Sequence, residues 1–509
     1  MSDCGINHID LNAQKDTLQA RGICVIIPTY NNEGTIADVV MRAGRQCRDV
    51  IVVCDGCTDN TIEILNALAF KPTIIELKKN QGKGAALKAG FRYALQAGFS
   101  YAITIDGDGQ HYPEDIPMML KANKKHPGAL IVGERKYLEQ AERSKGSRFA
   151  NSFSNFWFAV QTGRYIKDTQ TGYRLYPLKK LHGLSFLTSR YEAELELMVF
   201  AAWHGVKLVS EPVNVYYPPR EQRVSHFRPG KDFMRISVLN VVLCIMALIY
   251  GLPLCLFRWL ITVMRTLYSL LFFTILSIFV MTPMLYIYIS IGKMTEKKRY
   301  NLHRVINFVS KFILLYHKIP GVKYSQINHS NEDFARPAVI ICNHQSHLDL
   351  MPMLVQTPKM VVLTADWVWK NPFYGYAIRN AEFLPVSAGL DAMMPKLQSL
   401  VDRGYSIAVY PESTRSEDCS IGRFHQGAFH IANTLKLDIV PMVLYGAGKV
   451  LPKKGRKLNK WPIILEIDKR ITISELGNYG RTLKEQASYM RKYYIRRYNE
   501  ISDRIEQDV

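Results

Sequence analysis

Ile236-Ser-Val-Leu-Asn-Val-Val-Leu-Cys-Ile-Met-Ala-Leu-Ile-Tyr-Gly-Leu-Pro-Leu-Cys-Leu-Phe257 carries no charged residue, and neither does Thr266–Ile291. Between Ile236 and Ile291 the charges are Arg258 and Arg265, which divide the stretch in two. A helix needs roughly 20 apolar residues to cross the hydrocarbon core, and each run is long enough. Basic residues flank both outer sides. Arg220, Arg223, Arg228, Lys231 and Arg235 stand before the pair, and Lys293, Lys297, Lys298 and Arg299 stand after it. Basic flanks stay cytoplasmic. The pattern therefore predicts a membrane hairpin over 236–292, with the polar parts before and after it on the cytoplasmic face of the inner membrane. Two other readings stand beside it. One is a buried hairpin of a soluble protein, although few soluble cores hold two charge-free helices this long. The other is a re-entrant or interfacial hairpin, because Pro253 and Pro283 can break helices, and Arg258 and Arg265 fit poorly in a short outer turn.

Outward from the apolar stretch lie two polar halves. The chain has 509 residues, too many for one core, so two or three domains are expected. Its net charge of +21 suits nucleic acid, anionic lipid or phosphorylated substrates. The hairpin favours the last two, and no aromatic-basic motif of an RNA-binding sheet or basic zipper is present, so nucleic acid is not an expected partner. Met1–Arg21 is polar without an apolar core, which predicts no signal peptide. The 9 cysteines are scattered, as in a reducing compartment. Cys54 and Cys57 form a C-x-x-C, a pattern used in redox motifs and zinc sites. No second pair completes a zinc site, and the pair does not open a helix that would lower a thiol pKa. A structural role is expected.

In the first half, Cys24–Pro28, Asp49–Cys54, Thr73–Leu77 and Tyr101–Ile105 read as strands. Helices are expected to Arg42, over Asn60–Leu68 with Asp59 at its start, and from Asn80-Gln-Gly-Lys-Gly-Ala85 to Ala97. Strands alternating with helices imply a parallel sheet with ligands at the carboxyl ends of its strands. There the chain reads Asp106-Gly-Asp108-Gly-Gln110-His111. Residues two apart in an extended chain share a side, so Asp106 and Asp108 offer two carboxylates to one place. The glycines permit close approach to the backbone. Hard oxygen ligands suit Mg²⁺ or Mn²⁺ bridging a diphosphate. A plain turn or a calcium loop are the alternatives, the latter opposed by Tyr112-Pro113 where a calcium loop needs further acceptors. Backbone amides at Asn80–Gly84, with Lys83, suit phosphate, or simply start a helix.

These motifs, with Asp168-Thr-Gln-Thr-Gly-Tyr-Arg174 and Tyr191-Glu-Ala-Glu194, stand in the order found in family 2 glycosyltransferases, and the half resembles the polyprenyl (dolichyl) phosphate sugar synthases. The resemblance implies a GT-A nucleotide-sugar fold, a divalent metal held by Asp106 and Asp108, and an inverting transfer. It implies nucleotide-sugar contacts from Pro28, Tyr30, Glu33, Asp55, Lys83, Asp106, Gln110 and Arg174, with Asp55 at the nucleobase. Asp168, Gln170 and Arg174 would line the sugar and acceptor side, and Glu192 or Glu194 would face the acceptor. A phosphate acceptor needs no base, whereas a hydroxyl needs a carboxylate, for which Asp168 and Glu194 are the candidates, or both are structural. One departure bears on nucleotide preference: the turn usually begins Asp-Asp, and here Cys54 holds the first place. The basic segment Arg220–Lys231 serves as a positive-inside flank and as a grip for lipid phosphate or diphosphate.

In the second half, Tyr300–His317 reads as an amphipathic helix near the membrane. Strands are expected at Ala338–Cys342, Ser406–Tyr410 and Ile439–Val443. The first ends in Asn343-His344-Gln-Ser-His-Leu-Asp349. Five residues on a helix turn through about 500°, so His344 and Asp349 meet only if one lies in the turn before the helix. A carboxylate behind an imidazole fixes its tautomer and makes a general base. His344, His347 and Asp349 also suit a metal cluster, although no further histidine pair lies nearby. With Pro411-Glu-Ser-Thr-Arg-Ser416, Phe424-His-Gln-Gly-Ala428 and the late Val-Pro strand, Lys293–Ile471 resembles the glycerolipid acyltransferases typified by lysophosphatidate acyltransferase. That resemblance implies that His344 deprotonates an acceptor hydroxyl, which attacks the thioester of acyl-CoA or acyl carrier protein. Glu412 and Arg415 would organise the site, with Ser413, Thr414 and Gly427 at the acyl acceptor. Two departures stand out. Ala381-Glu-Phe-Leu-Pro-Val-Ser387 lacks the arginine expected to hold a glycerol phosphate, and Glu412-Ser413-Thr414 replaces Glu-Gly-Thr. An acceptor other than lysophosphatidate is expected.

The expected order is a polar segment over 1–21, a glycosyltransferase domain over 22–235, the hairpin over 236–292, an acyltransferase domain over 293–480 and a basic C-terminal helix over 481–509. Lys453–Lys457 and Arg491, Lys492, Arg496 and Arg497 read as membrane-facing or solvated surface. The layout resembles glycosyltransferase–acyltransferase fusions of bacterial lipid synthesis and suggests consecutive steps on one lipid. The alternatives are an active acyltransferase positioned by a glycosyltransferase-like module, and a non-catalytic lipid-binding scaffold.

Overall fold

Strands that are apolar along their whole length must be covered on both faces. The computed structural model, which describes residues 11–136, 145–184, 188–216, 229–317 and 319–508, shows that cover in two α/β units. The first unit comprises Met1–Arg258 with Asp503–Val509, and the second comprises Trp259–Ser502. The basic run from Arg220 to Arg228 lies outside the described residues.

The first unit holds β1 (Ile23–Thr29), β2 (Val50–Cys54), β3 (Thr73–Glu76), β4 (Tyr101–Thr104), β5 (Leu130–Lys136), β6 (Arg174–Pro177) and β7 (Leu208–Asn214). Their order across the sheet is β3-β2-β1-β4-β6-β5-β7. The first four strands are parallel, β6 runs antiparallel to β4 and β5, and β5 pairs parallel with β7. Successive residues of β1 serve opposite cores, as the two-residue period requires. Ile23, Val25 and Ile27 pack with Ile36, Val39 and Ala43 of the helix Ile36–Gln46. Cys24 and Ile26 pack with Ala86, Leu87 and Phe91 of the helix Lys83–Gln96. Gly82 precedes that helix at φ +103°, and a Cβ there would strike the Ser189 carbonyl and Arg190.

The second unit holds β8 (Tyr324–Asn328), β9 (Val339–Cys342), β10 (Met360–Thr364), β11 (Leu384–Pro385), β12 (Ser406–Val409), β13 (Ile439–Tyr445) and β14 (Ile463–Ile467). The order is β11-β10-β12-β9-β13-β14-β8, with β9 central and its neighbours β12 and β13 parallel to it. β14 runs antiparallel to β13. The expected amphipathic helix is Glu296–Lys311, continued by π-helical turns over Phe312–His317. The basic C-terminal helix is Leu483–Asp508.

The expected hairpin is replaced by one uninterrupted helix, Phe233–Ser290. Each proline expected to break it follows a π-helical stretch, Ala247–Gly251 before Pro253 and Ile275–Met281 before Pro283. Proline lacks an N–H and its ring crowds the carbonyl one turn back. A widened turn just ahead of it relieves that crowding, and the helix continues. Arg258 and Arg265 occupy no turn. The Arg258 guanidinium lies against Gly205 in the first unit, and Arg265 donates to the Leu458 carbonyl in the second.

Asn343 extends the β9–β13 ladder with its side chain. Its Nδ2 donates to the Leu444 carbonyl and its Oδ1 accepts the Leu444 N–H, both at 2.8 Å and fully buried. Asn343→Ala strands both backbone groups of Leu444, and chemical denaturation is expected to show a loss of about 2 kcal/mol or more.

Candidate active sites

In the first unit the candidate residues gather where β1, β2 and β4 end. The loops there are tied together: the Asp55 N–H donates to the Thr29 carbonyl, and the Thr35 hydroxyl donates to the Gly107 carbonyl. Asp55 is buried, and its two oxygens accept the N–H groups of Gln81 and Gly82 at 2.8 and 2.6 Å. It thereby fixes the segment that delivers Lys83. Lys83 Nζ bridges Asp106 Oδ1 at 2.6 Å and Glu194 Oε2 at 2.9 Å. Burial opposes its charge, but Asp106 and Glu194 outweigh burial and hold its pKa above the ordinary lysine value. Gly172 closes over this pair, and a Cβ there would come within 2.4 Å of Asp106 Oδ2 and 2.6 Å of Lys83 Nζ.

Asp108 accepts the Gln110 N–H at 3.0 Å, and burial together with the Asp106 carboxylate pushes its pKa up to about 6. Asp106 and Asp108 offer hard carboxylate oxygens from one turn, a donor set whose chemistry fits Mg²⁺ or Mn²⁺. His111 Nδ1 lies 3.9 Å from Asp106 Oδ2, and burial pushes the imidazole down to about 4, leaving it neutral at pH 7.

Asp168 sits in a fork made by Arg135, whose Nε and terminal nitrogen donate to its two oxygens at 2.6 and 2.9 Å. Arg174 is entirely buried, with its guanidinium bound to the carbonyls of Glu194 and Thr169 and to the Tyr176 hydroxyl. It braces the loop between Asp168 and the strand β6. Pro28 is buried in β1, Tyr30 is half-buried just beyond it, and exposed Glu33 accepts the Asn60 N–H. Gln170 is exposed, whereas Glu192 and Glu194 are buried at the start of the helix Glu192–Trp203. Arg135 escaped the sequence reading because it ends a strand as Glu134-Arg-Lys136, with no motif around it.

In the second unit the site forms where β9 and its neighbour β12 end. His344 lies in the turn after β9, and Asp349 in the short 3-10 turn His347–Asp349. This is the turn geometry that their spacing requires. His344 Nδ1 is 2.9 Å from Asp349 Oδ2, which also accepts the N–H groups of Gln345 and Ser346. Asp349 is fully buried and the His344 ring is partly open. The ring stacks on Tyr410 with centroids 4.3 Å apart at 26°. Glu412 accepts the N–H groups of His344 and Gly422 at 2.9 and 2.6 Å, and burial raises its carboxyl pKa. It ties the loop after β12 to the histidine turn. In that loop Ser413, at φ +60°, and Thr414 are exposed, and Arg415 is half-buried. Burial, with the charges of Arg415 and His344, lowers the pKa of His347, whose ring meets Trp367 edge-on. Gly427 opens the helix Gly427–Leu435. Tyr410 was missed because an aromatic at a strand end reads as core. Within Ala381–Ser387, the stretch that lacks the expected arginine, Val386 is exposed and the Ser387 hydroxyl donates to the Asp366 carboxylate.

One further cluster, His329, Glu466 and Asp468, has metal-ligand chemistry. Arg497 donates to both of its carboxylates at 2.6 and 3.0 Å, so its charge is already compensated.

Residues 24–181 match the glycosyl transferase family 2 profile, and residues 322–445 match the acyltransferase profile. A polyprenol monophosphomannose synthase of Mycolicibacterium smegmatis is 32% identical over 40% of this chain and 79% of its own length. A chloroplastic 1-acyl-sn-glycerol-3-phosphate acyltransferase of Arabidopsis thaliana, LPAT1, is 32% identical over 23% of this chain and 34% of its own length, so the chain spans about a third of that protein. The structure of the Thermotoga maritima acyltransferase PlsC aligns with 48% of this chain and 98% of its own at 20% identity, with a TM-score of 0.40. The chain belongs to glycosyl transferase family 2, and its residues 322–445 are similar to the acyltransferase family. It is thus a two-domain transferase related to enzymes of lipid metabolism.

Asp349→Asn keeps an acceptor for the backbone N–H groups but mispairs the imidazole. Acyl transfer is expected to fall by roughly 100-fold or more at unchanged sugar transfer, as measured by initial rates of both reactions.

Proposed function

We propose that the chain is a membrane-attached bifunctional enzyme of bacterial glycolipid synthesis. Its first domain transfers a sugar, with inversion, from a nucleotide sugar to a lipid acceptor. Its second transfers an acyl chain from acyl-CoA or acyl carrier protein to a hydroxyl of that glycolipid or of a companion lipid. The observation that carries this reading is the presence in one chain of two complete and chemically different sets: Asp106 and Asp108 beside Lys83, and His344 backed by Asp349.

In the first domain Asp106 and Asp108 would hold Mg²⁺ or Mn²⁺, which neutralises charge on the departing diphosphate when bound. Lys83 adds a fixed positive charge at the same place. A phosphate acceptor attacks unaided. For a hydroxyl acceptor Glu194 is the base we assign, because Asp168 has both oxygens committed to Arg135, whereas Glu194 Oε1 has no partner among the described residues. Asp168 then orients the acceptor side.

In the second domain Asp349 keeps the proton on His344 Nδ1, leaving Nε2 as the base. Nε2 takes the acceptor's hydroxyl proton, the oxygen attacks the thioester carbonyl, and the thiol departs with a proton returned from the imidazole. Arg415 supplies positive charge beside the loop. Ala381–Ser387 offers no arginine to hold a phosphate monoester, and acylation of lysophosphatidate is expected to be slow in a direct assay.

The test is mass spectrometry of lipids from cells expressing the wild type, Asp108→Ala or His344→Ala. Loss of the whole series in Asp108→Ala, and accumulation in His344→Ala of a glycolipid one acyl group short, are expected. Loss in His344→Ala of a lipid that Asp108→Ala leaves untouched would show separate substrates. Chelation of divalent cations is expected to stop sugar transfer in the purified protein and to spare acyl transfer.

A further inference from the structure

The hydrogen bond between His344 and Asp349 leaves the imidazole one freedom. A ring held at Nδ1 alone still turns about the line to Asp349 Oδ2, and the turn carries Nε2 along an arc. In the proposed acyl transfer Nε2 is the atom that takes the acceptor's proton, and proton transfer requires its direction to be held. The group that meets the flat face of the imidazole is Tyr410. The two ring centroids are 4.3 Å apart and the planes are 26° from parallel. A contact on the face removes the rotation that the hydrogen bond at the edge permits.

The backbone fixes where the Tyr410 ring stands. β12 pairs with β9 up to Val409 and Ile341, so Tyr410 is the next residue along, beside Cys342 and the turn that carries His344. Pro411 confines Tyr410 to extended backbone. Beyond it, the Pro411 carbonyl accepts the His425 N–H at 2.8 Å, and the Glu412 carboxylate accepts the N–H of His344 itself at 2.9 Å. Tyrosine and histidine thus stand on two neighbouring strand ends that are bonded to each other both before and after the stack.

The face of the ring, and not its hydroxyl, has work to do here. The Tyr410 hydroxyl is buried and has no hydrogen-bond partner among the described residues. A buried hydroxyl left unbonded costs stability that a phenylalanine would not. Burial, with Cys342 and Asp349 close by, holds the phenol well above its ordinary pKa range, so the ring stays neutral at pH 7. Its face carries the negative side of the ring quadrupole. When Nε2 takes a proton the imidazole becomes a cation, and it then lies over that face well inside the about 6 Å over which such attraction acts. A neutral imidazole gains little from the same contact. The interaction therefore strengthens as the proton moves, which is the condition for lowering a barrier.

We infer that Tyr410 is a positioning residue for acyl transfer: its ring fixes the plane of His344 and stabilises the imidazolium that forms when the acceptor's proton is taken, and its hydroxyl has no part in this. The inference rests on the acyltransferase reading and adds a residue that acts through His344. The full chain is assayed with palmitoyl-CoA or palmitoyl–acyl carrier protein as donor and the lipid extract of cells expressing His344→Ala as acceptor. Tyr410→Leu is expected to lower kcat roughly tenfold and to leave KM for the donor unchanged. Tyr410→Phe is expected to bring kcat back near the wild-type value. Adding successive fluorines to the ring of the Tyr410→Phe protein keeps the ring's shape and weakens the negative charge of its face, so kcat is expected to fall stepwise along that series. Equal kcat across the fluorinated series would overturn the inference. So would Tyr410→Phe as slow as Tyr410→Leu, or Tyr410→Leu that changes KM in place of kcat. If Tyr410→Leu does not fold, the fluorinated series decides, because its side chains differ little in volume. A wild type that transfers no acyl group from either donor would instead sink the acyltransferase reading, and the inference with it.

Discussion

A carboxylate taken out of water must be met by a cation or by N–H groups, and that requirement shapes both halves of this chain. In the first half Lys83 answers Asp106 and Glu194 together, and Arg135 answers Asp168. In the second, Asp349 is met by His344 and by two backbone N–H groups, and Glu412 by two more. Arg135 lies at the end of the strand β5, and the other partners are delivered by segments that follow the carboxyl ends of parallel strands. The sheet order, the glycines at tight approaches and the short turns after β4 and β9 are therefore arranged around a few buried charges. Reactive groups held this way need little rearrangement when substrate arrives.

Much of this was legible in the sequence because it is local. Short β-branched runs ending in Asp-Gly-Asp-Gly or Asn-His announce strands with chemistry at their ends, and the His344–Asp349 spacing demanded a turn. What stayed hidden depends on tertiary packing. Arg135 has no local signature, and its role exists only because Asp168 folds back onto β5. Arg174 sits in a motif, yet the fold spends its guanidinium on carbonyls. Asp55 likewise anchors the segment before Lys83. The apolar stretch shows the limit most clearly. Two charge-free runs between basic flanks read as a hairpin, but π-helical turns absorb Pro253 and Pro283, and the folded domains take up Arg258 and Arg265.

The proposed function gives the presence of two domains on one chain a physical purpose. A lipid intermediate diffuses in two dimensions and is diluted by every other lipid around it. In the proposed scheme, carrying both domains on one chain would raise the local concentration of the intermediate at the second site. The departures within the acyltransferase half agree with this. In the proposed scheme, the lack of an arginine in Ala381–Ser387 suits an acceptor whose recognised group is not a phosphate monoester, such as a lipid already modified by the first domain.

The central claim, that sugar transfer makes the substrate of acyl transfer, is tested most directly by dividing the steps between two proteins. Purified His344→Ala is given nucleotide sugar and lipid, its glycolipid product is isolated, and this is offered with acyl donor to Asp108→Ala alongside the unglycosylated lipid. The account predicts that Asp108→Ala acylates the glycolipid at the wild-type rate and the unglycosylated lipid far more slowly. Equal rates on both, or acylation of the unglycosylated lipid alone, would contradict it.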